Sequence, residues 1–308
     1  MSESSVMIEC GDREHWLAER RNGIGGSDAA AVLGVNEYQS PFSIWAQKVQ
    51  GTEVAENAAM RWGRLLEPVV LQAFAEDAQR ELFPPPPWTI FAREDRPWQR
   101  CTPDSFFRRE EELAIVQVKC TAERNADDWE GSGPLMYQIQ IQHEMLVTGV
   151  QHGTLVVLIG NRELRWIDVE PNPAFCEAMT VSESQFWELV QRETPPPVDG
   201  SEATREAIAL LHPQQTGGVI ELPPSFGVLD ARLQKIKEVK KRATEIEDEL
   251  KNQIRNALGD NSTGLIAGTL IEWHLKNIER KGYTVEPTSF RQLTRRESKP
   301  RLKGPKRP

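Results

Sequence analysis

The stretch at residues 101–120, CTPDSFFRREEELAIVQVKC, predicts two short β-strands joined by a polar turn. Asp104 leads the first strand, and Gln117-Val118-Lys119 ends the second. Because strand side chains alternate between two faces, Gln117 and Lys119 share one face while Val118 points into the core. A hairpin of this length brings Asp104 near that same face. An acid, an amide oxygen and an ammonium around one point can hold a hard divalent cation and a water beside a phosphate.

Three other blocks accompany this hairpin. They read RRNGIGGSDAAAVLG over residues 20–34, GRLLEP over 63–68 and YQIQIQHEMLVTG over 137–149. The hairpin resembles the core of the PD-(D/E)XK nuclease superfamily, whose motif is an acid, a hairpin and then Glu-x-Lys. In order and spacing, the four blocks resemble the YqaJ-like viral recombinase family, which is similar to phage lambda exonuclease. The resemblance covers about residues 11–195. It implies an α/β fold with a restriction-endonuclease-like core, in which helices flank a mixed β-sheet.

The resemblance also implies a metal-dependent active site. Asp104 is the best ligand on chemical grounds, since a carboxylate can bridge two hard cations. Family position makes Glu67 the second acid, although a glutamate on a helix surface is the alternative, and makes Gln140 the active-site glutamine. Lys119 would orient the water and stabilise negative charge. The expected cofactor is Mg²⁺ or Mn²⁺, as two ions. Their expected ligands are Glu67, Asp104, Gln117 and the Val118 carbonyl.

Gln117 departs from the family motif, which has Glu at this position. An amide is neutral, so the site loses one negative charge and should hold metal more weakly. The amide oxygen can still be a ligand, and some members of the superfamily resemble this chain in carrying Gln here. The sequence therefore favours a variant active site, with a decayed site as the alternative.

A pocket for a terminal 5′-phosphate would distinguish an exonuclease from an endonuclease. The resemblance places its residues at Arg21, Ser27, Thr102, Arg124 and Tyr137. An arginine supplies paired donors, and Ser27 at the start of a helix would add backbone N–H groups and the positive helix end. The alternatives are a capping serine and surface arginines.

The 137–149 block contains two further polar residues, Gln142 and His143, that suit structural roles. Gln142 matches the second glutamine of the family, but it lies on a different helix face from Tyr137 and Gln140 and suits a structural role. His143 has no evident partner in the sequence, which favours packing or surface exposure over metal binding.

Composition narrows the function classes. The 308 residues include four scattered cysteines without CxxC spacing, which favours reduced thiols in a cytosol over zinc binding or disulfides. The family resemblance implies that this is the cytoplasm of a bacterial host. No apolar run is long enough to cross a bilayer, and the first residues do not resemble a signal peptide. The net charge of −9 argues against a uniformly basic nucleic-acid binder. Residues 276–308, however, carry 11 basic and 3 acidic side chains and could contact phosphates, or could be a solvated tail.

The chain divides by character. Strands are predicted near 88–92, 98–106 and 113–119, and helices near 12–21, 27–34, 41–51, 56–80, 134–148 and 173–191. A hairpin is predicted over 153–169, with its turn at Gly160-Asn161. Residues 1–200 are expected to form the nuclease domain and 201–227 a linker. In residues 228–308, apolar side chains at heptad-like spacing predict a long helix with short strands and a basic tail after it. That helix could pack on its own domain or join another chain in a coiled coil.

The sequence thus favours a phage-type recombination exonuclease. It would resect linear duplex DNA from the 5′ end and leave 3′ single strands for a phage annealing protein. The resemblance implies a homo-oligomeric ring, a trimer, around double-stranded DNA. The alternatives are an endonuclease, a nuclease for branched or single-stranded DNA, and a DNA-binding protein on a decayed nuclease fold.

Overall fold

The predicted hairpin forms in the computed structural model, which describes residues 5–52, 56–214, 217–267 and 271–274. Strand β4 (Ser105–Arg109) pairs antiparallel with β5 (Glu112–Thr121), and Ser105 lies opposite Val116. Glu110 in the connecting turn has a positive φ of 57°. The register continues one step beyond the ladder, so Asp104 stands next to Gln117.

Two more strands complete a four-stranded sheet. Strand β6 (His152–Ile159) runs parallel to β5, and β7 (Glu163–Val169) returns antiparallel to β6, which gives the order β4-β5-β6-β7. The turn between β6 and β7 uses Gly160 and Asn161, both at positive φ, as the sequence predicts. The sheet is therefore mixed, with one parallel pair at its centre.

Helices cover both faces of this sheet. Helix α5 (Leu135–Thr148) packs on one face, where Ile141 joins Ile115 of β5 in a buried cluster. Helix α4 (Ala58–Asp77) packs on the other, where Phe74 joins Val116. Burying one such side chain stabilises the fold by about 1.5–3 kcal/mol. The predicted α/β class, a mixed sheet flanked by helices, is confirmed.

A smaller antiparallel sheet contains β1 (Ser5–Glu9), β2 (Thr89–Arg93) and β3 (Arg100–Cys101). The single strand predicted over 98–106 is wrong, because the chain leaves this sheet at Cys101 and enters the larger one at Ser105. Pro103 lies in the break, where its missing N–H costs no ladder hydrogen bond. The break leaves Asp104 free of strand pairing at the head of β4.

Five more helices and a 3-10 helix complete the first unit. They are α1 (Arg13–Arg21), α2 (Gly26–Val32), α3 (Pro41–Gln50), α6 (Pro173–Gln191), α7 (Glu202–Leu211) and the 3-10 helix Glu123–Trp129. The carboxylate of Asp12 caps α1, and Ser40 caps α3. Helix α4 continues through Pro68, which therefore does not end it.

The first compact unit runs to Gln214, beyond the expected boundary at residue 200. Residues expected to be a linker form α7, which packs on α3. Ala207 is buried in the cluster that contains Phe42, and the hydroxyls of Ser40 and Thr204 lie 2.7 Å apart. The expected linker is ordered in this part because one face of the short amphipathic helix α7 is apolar and packs on the first unit.

The second unit begins at Gln215. It contains α8 (Ser225–Leu258), which is the predicted long helix and ends at Gly259, and a hairpin of β8 (Thr263–Leu265) and β9 (Glu272–His274). The basic segment 276–308 lies outside the described residues. Within the described ranges, no helix combines the length and apolar character needed to cross a membrane.

Candidate active site

Asp104 is held by the end of β5. Its Oδ2 accepts one hydrogen bond from Gln117 Nε2 and another from the Val118 backbone N–H, both at 2.7 Å. Burial raises the pKa of Asp104, although the Lys119 charge and these two hydrogen bonds oppose the rise. The carboxylate is therefore fixed in direction, and a positive charge nearby would favour its ionised form.

Lys119 lies two residues beyond Gln117 on the same face of β5. Its Nζ sits 5.1 Å from the centre of the Tyr137 ring, in a cation–π contact. Tyr137 in turn stacks on Trp129, with ring centres 5.4 Å apart. The aromatic pair joins α5 and the 3-10 helix and limits where the ammonium can go.

Glu67 approaches from α4. Burial raises its pKa to about 7, and the Asp104 carboxylate adds to the rise while Lys119 opposes it. Because the charges of Asp104 and Lys119 both act on Glu67, α4 places a second acid close to the hairpin. The same coupling makes an uncompensated pair of carboxylates unfavourable near neutral pH.

Gln140 and Glu144 form the α5 side of the site. Gln140 Nε2 donates to Glu144 Oε1 at 2.9 Å, and both side chains are buried. Burial raises the pKa of Glu144 to about 7; the Gln140 hydrogen bond lowers it, and the Asp104 charge raises it further. Glu144 is not among the site residues predicted from the sequence. Its position four residues after Gln140, on one helix face, was the available signal.

Gly26 at the start of α2 makes room for Glu144. A Cβ at Gly26 would stand 2.6 Å from Glu144 Oε1, which is far inside van der Waals contact. This close approach joins the first turn of α2 to the face of α5 that carries Gln140.

The donor set suits a hard cation. Gln117 Oε1 and Glu144 Oε2 are buried and accept no hydrogen bond from the protein. A buried oxygen without a partner is costly unless a water or an ion meets it. Within the described residues, no three His, Cys, Asp or Glu side chains gather as a complete ligand set. A site at Asp104 and Glu67 would thus rely on amide or carbonyl oxygens as well, and such oxygens are ligands that Mg²⁺ and Mn²⁺ accept.

The residues expected around a 5′-phosphate are only partly together. Ser27 Oγ accepts from Arg20 Nη2 at 3.2 Å, so Arg20 rather than Arg21 lies against Ser27. The Arg21 guanidinium instead lies near Gly51, at the end of α3. Thr102 is half-buried in the break before Asp104, and Arg124 is exposed on the 3-10 helix.

Ser27 is not the cap of α2. The helix begins one residue earlier, after Gly25, whose N–H donates to Asp28 Oδ2 at 3.0 Å. Asp28 also accepts from Lys48 Nζ at 2.7 Å. The acid three residues into the helix replaces the serine as the capping group, so the Ser27 hydroxyl is exposed beside Arg20.

Gln142 and His143 support α5 from behind. Gln142 Nε2 donates to the Glu170 carbonyl at 2.7 Å, a structural contact of the kind expected. His143 is packed in the interior, one of the two expected placements, but it has a partner that the sequence did not reveal: its Nδ1 lies 2.7 Å from Glu183 Oε1, and both side chains are fully buried. Burial opposes the charged imidazolium, but the Glu183 carboxylate outweighs it and raises the pKa of His143 to about 9. A charge pair across 40 residues of chain leaves no local pattern.

Part of the chain is similar to a known protein family and to individual proteins. Residues 15–151 match the YqaJ-like viral recombinase domain. Uncharacterized protein YqaJ of Bacillus subtilis (strain 168) is 29% identical over 278 residues, which cover 85% of this chain and 83% of that protein. Protein D345L of African swine fever virus (strain Badajoz 1971 Vero-adapted) is 47% identical over 55 residues, 18% of this chain and 16% of that protein.

Solved structures also resemble the chain. LHK-Exo in complex with dAMP is 19% identical with a TM-score of 0.48, and the match covers 65% of this chain and all of that one. A phage related exonuclease from Haemophilus somnus 129PT is 10% identical with a TM-score of 0.42, covering 56% of this chain and 96% of that one.

Proposed function

Because residues 15–151 form a YqaJ-like viral recombinase domain, we propose that the protein is a metal-dependent deoxyribonuclease that digests linear duplex DNA from its ends. One observation carries the proposal: Asp104 accepts a hydrogen bond from Gln117 at the end of one hairpin, and Lys119 and Glu67 are close enough for charge interactions with Asp104. Two acids, an amide oxygen without a partner and an ammonium are the groups that phosphodiester hydrolysis needs at one point.

The residues divide the work. Asp104, Glu67, the Gln117 amide oxygen and the Val118 carbonyl would hold the metal ions, Mg²⁺ or Mn²⁺ and two in number. A bound ion would supply Lewis acidity and lower the pKa of a coordinated water. Lys119, steadied by the Tyr137 ring, stabilises negative charge on the phosphate and orients the water. Gln140, oriented by Glu144, donates or accepts beside the same phosphate.

End recognition follows from the first turn of α2. Arg20 and the exposed Ser27 hydroxyl form a donor pair there, next to the positive end of the helix. With Thr102, Tyr137 and the more distant candidates Arg21 and Arg124, they would select a 5′-phosphate. Resection would then run 5′ to 3′ and leave 3′ single strands, which a phage single-strand annealing protein would use in homologous recombination.

A closed ring of identical subunits, a trimer, would keep this acidic chain on DNA. With a net charge of −9, bulk attraction to DNA is weak, whereas a ring retains the duplex by topology. The setting would be the cytoplasm of a bacterial host, with the protein encoded by a phage or prophage.

Digestion of three matched substrates tests the proposal. A linear duplex with 5′-phosphates, the same duplex with 5′-hydroxyls and a covalently closed circle are incubated with Mg²⁺ or Mn²⁺, with wild-type protein and Lys119→Ala. End-dependent shortening of the linear DNA, a surviving circle and a silent Lys119→Ala variant support the exonuclease. Nicking of the circle by the wild type but not by the variant indicates an endonuclease instead.

A decayed site is the second candidate, and the Asp104–Gln117 hydrogen bond favours it. Asp104 Oδ2 is already engaged by Gln117 and the Val118 N–H, so metal binding must compete with these two donors. DNA binding without cleavage by either metal, unchanged in Asp104→Ala, would establish this alternative.

A further inference from the structure

Helix α8 carries a long apolar stripe that nothing in the described part of the chain covers. Six large aliphatic side chains along it are between 45% and 63% exposed, whereas Leu258 at its last turn is buried. The six are Leu229, Leu233, Ile236, Val239, Ile246 and Leu250. Exposed apolar surface of this extent and continuity marks an interaction site.

The spacing of the stripe identifies the partner as another helix. From Leu229 to Ala257 its members recur at positions 229, 233, 236, 239, 243, 246, 250, 254 and 257, a mean step of 3.5 residues. An isolated α-helix has 3.6 residues per turn, so a 3.5-residue repeat keeps an apolar seam in register only when two helices wind around each other.

The distribution of charge along α8 indicates that the partner helix is a second α8 in the antiparallel orientation. The first part of α8, residues 225–244, has 6 basic and 2 acidic side chains, and the second part, residues 245–258, has 2 basic and 4 acidic ones. A parallel copy would place like charges side by side. An antiparallel copy sets the basic part of one helix against the acidic part of the other.

We propose that α8 pairs antiparallel with α8 of a second copy of this chain, around a two-fold axis near Ala243. Positions 236 and 250 lie seven residues on either side of Ala243, and positions 229 and 257 lie fourteen, so 236 faces 250 of the partner copy and 229 faces 257. The interface is then isologous, with one surface used twice. The inference does not depend on the proposed nuclease activity, and the pairing joins two subunits or two rings alike.

The mass of the full-length protein in solution tests the pairing. Wild type, Ile236→Glu, Leu250→Glu and Asn252→Glu are compared by sedimentation equilibrium at one concentration and moderate salt. Asn252 is exposed on α8 outside the stripe, so its variant adds the same charge without touching the seam. We expect the two stripe variants to have about half the mass of wild type and of Asn252→Glu. Equal masses for all four proteins overturn the pairing, including the case where another segment of the same chain covers the stripe.

Cross-linking tests the orientation. Ile236→Cys and Leu250→Cys are made separately in a Cys120→Ser background, because Cys120 is exposed while the other three cysteines are buried. Mixing the two proteins under mild oxidation should give a disulfide between positions 236 and 250. Ile236→Cys alone should give none, because two copies of position 236 would lie about 21 Å apart along the axis. Efficient self-linking of Ile236→Cys, or no disulfide in the mixture, overturns the antiparallel pair. Nuclease activity is measured in parallel and should be retained, so the two proposals fail separately.

Discussion

The Gln117 amide donates to the Asp104 carboxylate at 2.7 Å and keeps its own oxygen buried without a partner. The amide thereby does two things that a glutamate could not do together. It steadies the neighbouring acid in the absence of metal, and it presents an oxygen to the site. The departure from the family motif has a structural role at this position.

Gln117→Glu should exchange one property for the other. The variant loses the hydrogen bond to Asp104 and sets two carboxylates together, so the metal-free protein should be less stable by about 1–3 kcal/mol. Its affinity for Mg²⁺ should rise, because the site gains a negative charge. Denaturant unfolding in EDTA and Mg²⁺ titration by calorimetry measure the two effects. Equal stability and equal affinity in wild type and variant would contradict this account.

The acids predict a pH dependence. The pKa of Glu67 is raised from 4.5 to about 7, so the folded protein holds a proton there that the unfolded chain has already released. Stability of the metal-free protein should therefore fall as pH rises from about 4.5 to about 7, and Mg²⁺ should stabilise more strongly above that window. Thermal unfolding from pH 5 to 8, with EDTA or Mg²⁺, checks this.

Glu67→Gln should flatten the EDTA profile in that window and reduce the stabilisation by Mg²⁺. Glu144, whose pKa is also raised to about 7, contributes to the pH dependence over the same range but is not one of the proposed metal ligands. Glu144→Gln is therefore the control for the loss of a titrating acid without the loss of a ligand. A Glu67→Gln profile as steep as that of wild type would count against the assignment.

The contact between Lys119 and Tyr137 predicts a graded response. Tyr137→Phe keeps the ring under the ammonium and should keep most of the activity. Tyr137→Leu removes the cation–π contact, which is worth about 0.5–2 kcal/mol, and should lower kcat by about 2- to 30-fold. Single-turnover rates on linear duplex DNA separate the two. Equal losses in both variants would point to the hydroxyl instead of the ring.

Arg20 should matter more than Arg21 for the terminal phosphate. Arg20 lies against Ser27, whereas the Arg21 guanidinium lies near Gly51. Arg20→Gln should lower the preference for 5′-phosphate over 5′-hydroxyl ends by about tenfold, the scale of one charge-assisted hydrogen bond. Arg21→Gln is the matched control, since both changes remove one positive charge. The reverse order of effects would restore the sequence-based assignment.

Glu144 should act through Gln140. Glu144→Gln retains an oxygen that can accept from Gln140 Nε2, so it should cleave at near wild-type rates. Glu144→Leu leaves the Gln140 amide without this acceptor and should reduce kcat more than KM, by about 10-fold for one lost buried hydrogen bond. Circular dichroism of both variants guards against unfolding. Full loss in both would make the carboxylate itself essential.

Much of this arrangement was readable from the chain. Alternation in β5 predicted that Gln117 and Lys119 share a face, and turn chemistry predicted the bend at Gly160. The three-residue spacing of Tyr137 and Gln140 predicted that both side chains lie on one face of a helix. Such patterns are local, with a period set by backbone geometry alone.

What escaped prediction depends on contacts between distant segments. Arg20 rather than Arg21 lies against Ser27, and Asp28, which accepts from the Gly25 N–H at the start of α2, is paired with Lys48, 20 residues away. The strand break at Pro103 depends on a change of sheet. The spacing of Glu144 from Gln140 is local, but the room for its side chain depends on Gly26 of α2, which packs against α5. Tertiary packing decides such details, and sequence spacing does not encode them.

The buried pair of His143 and Glu183 has a consequence for motion. His143 is on α5 and Glu183 is on α6, so these two helices cannot separate without parting two opposite charges in a buried interior, and breaking such a pair costs about 3–5 kcal/mol. The backbone amides around His143 should consequently exchange with solvent deuterium nearly as slowly as those of β5 and β6, even though they border the proposed active site. In the proposed reaction, α5 would then stay fixed beside the substrate, and any rearrangement would fall to the DNA and to the loops around it.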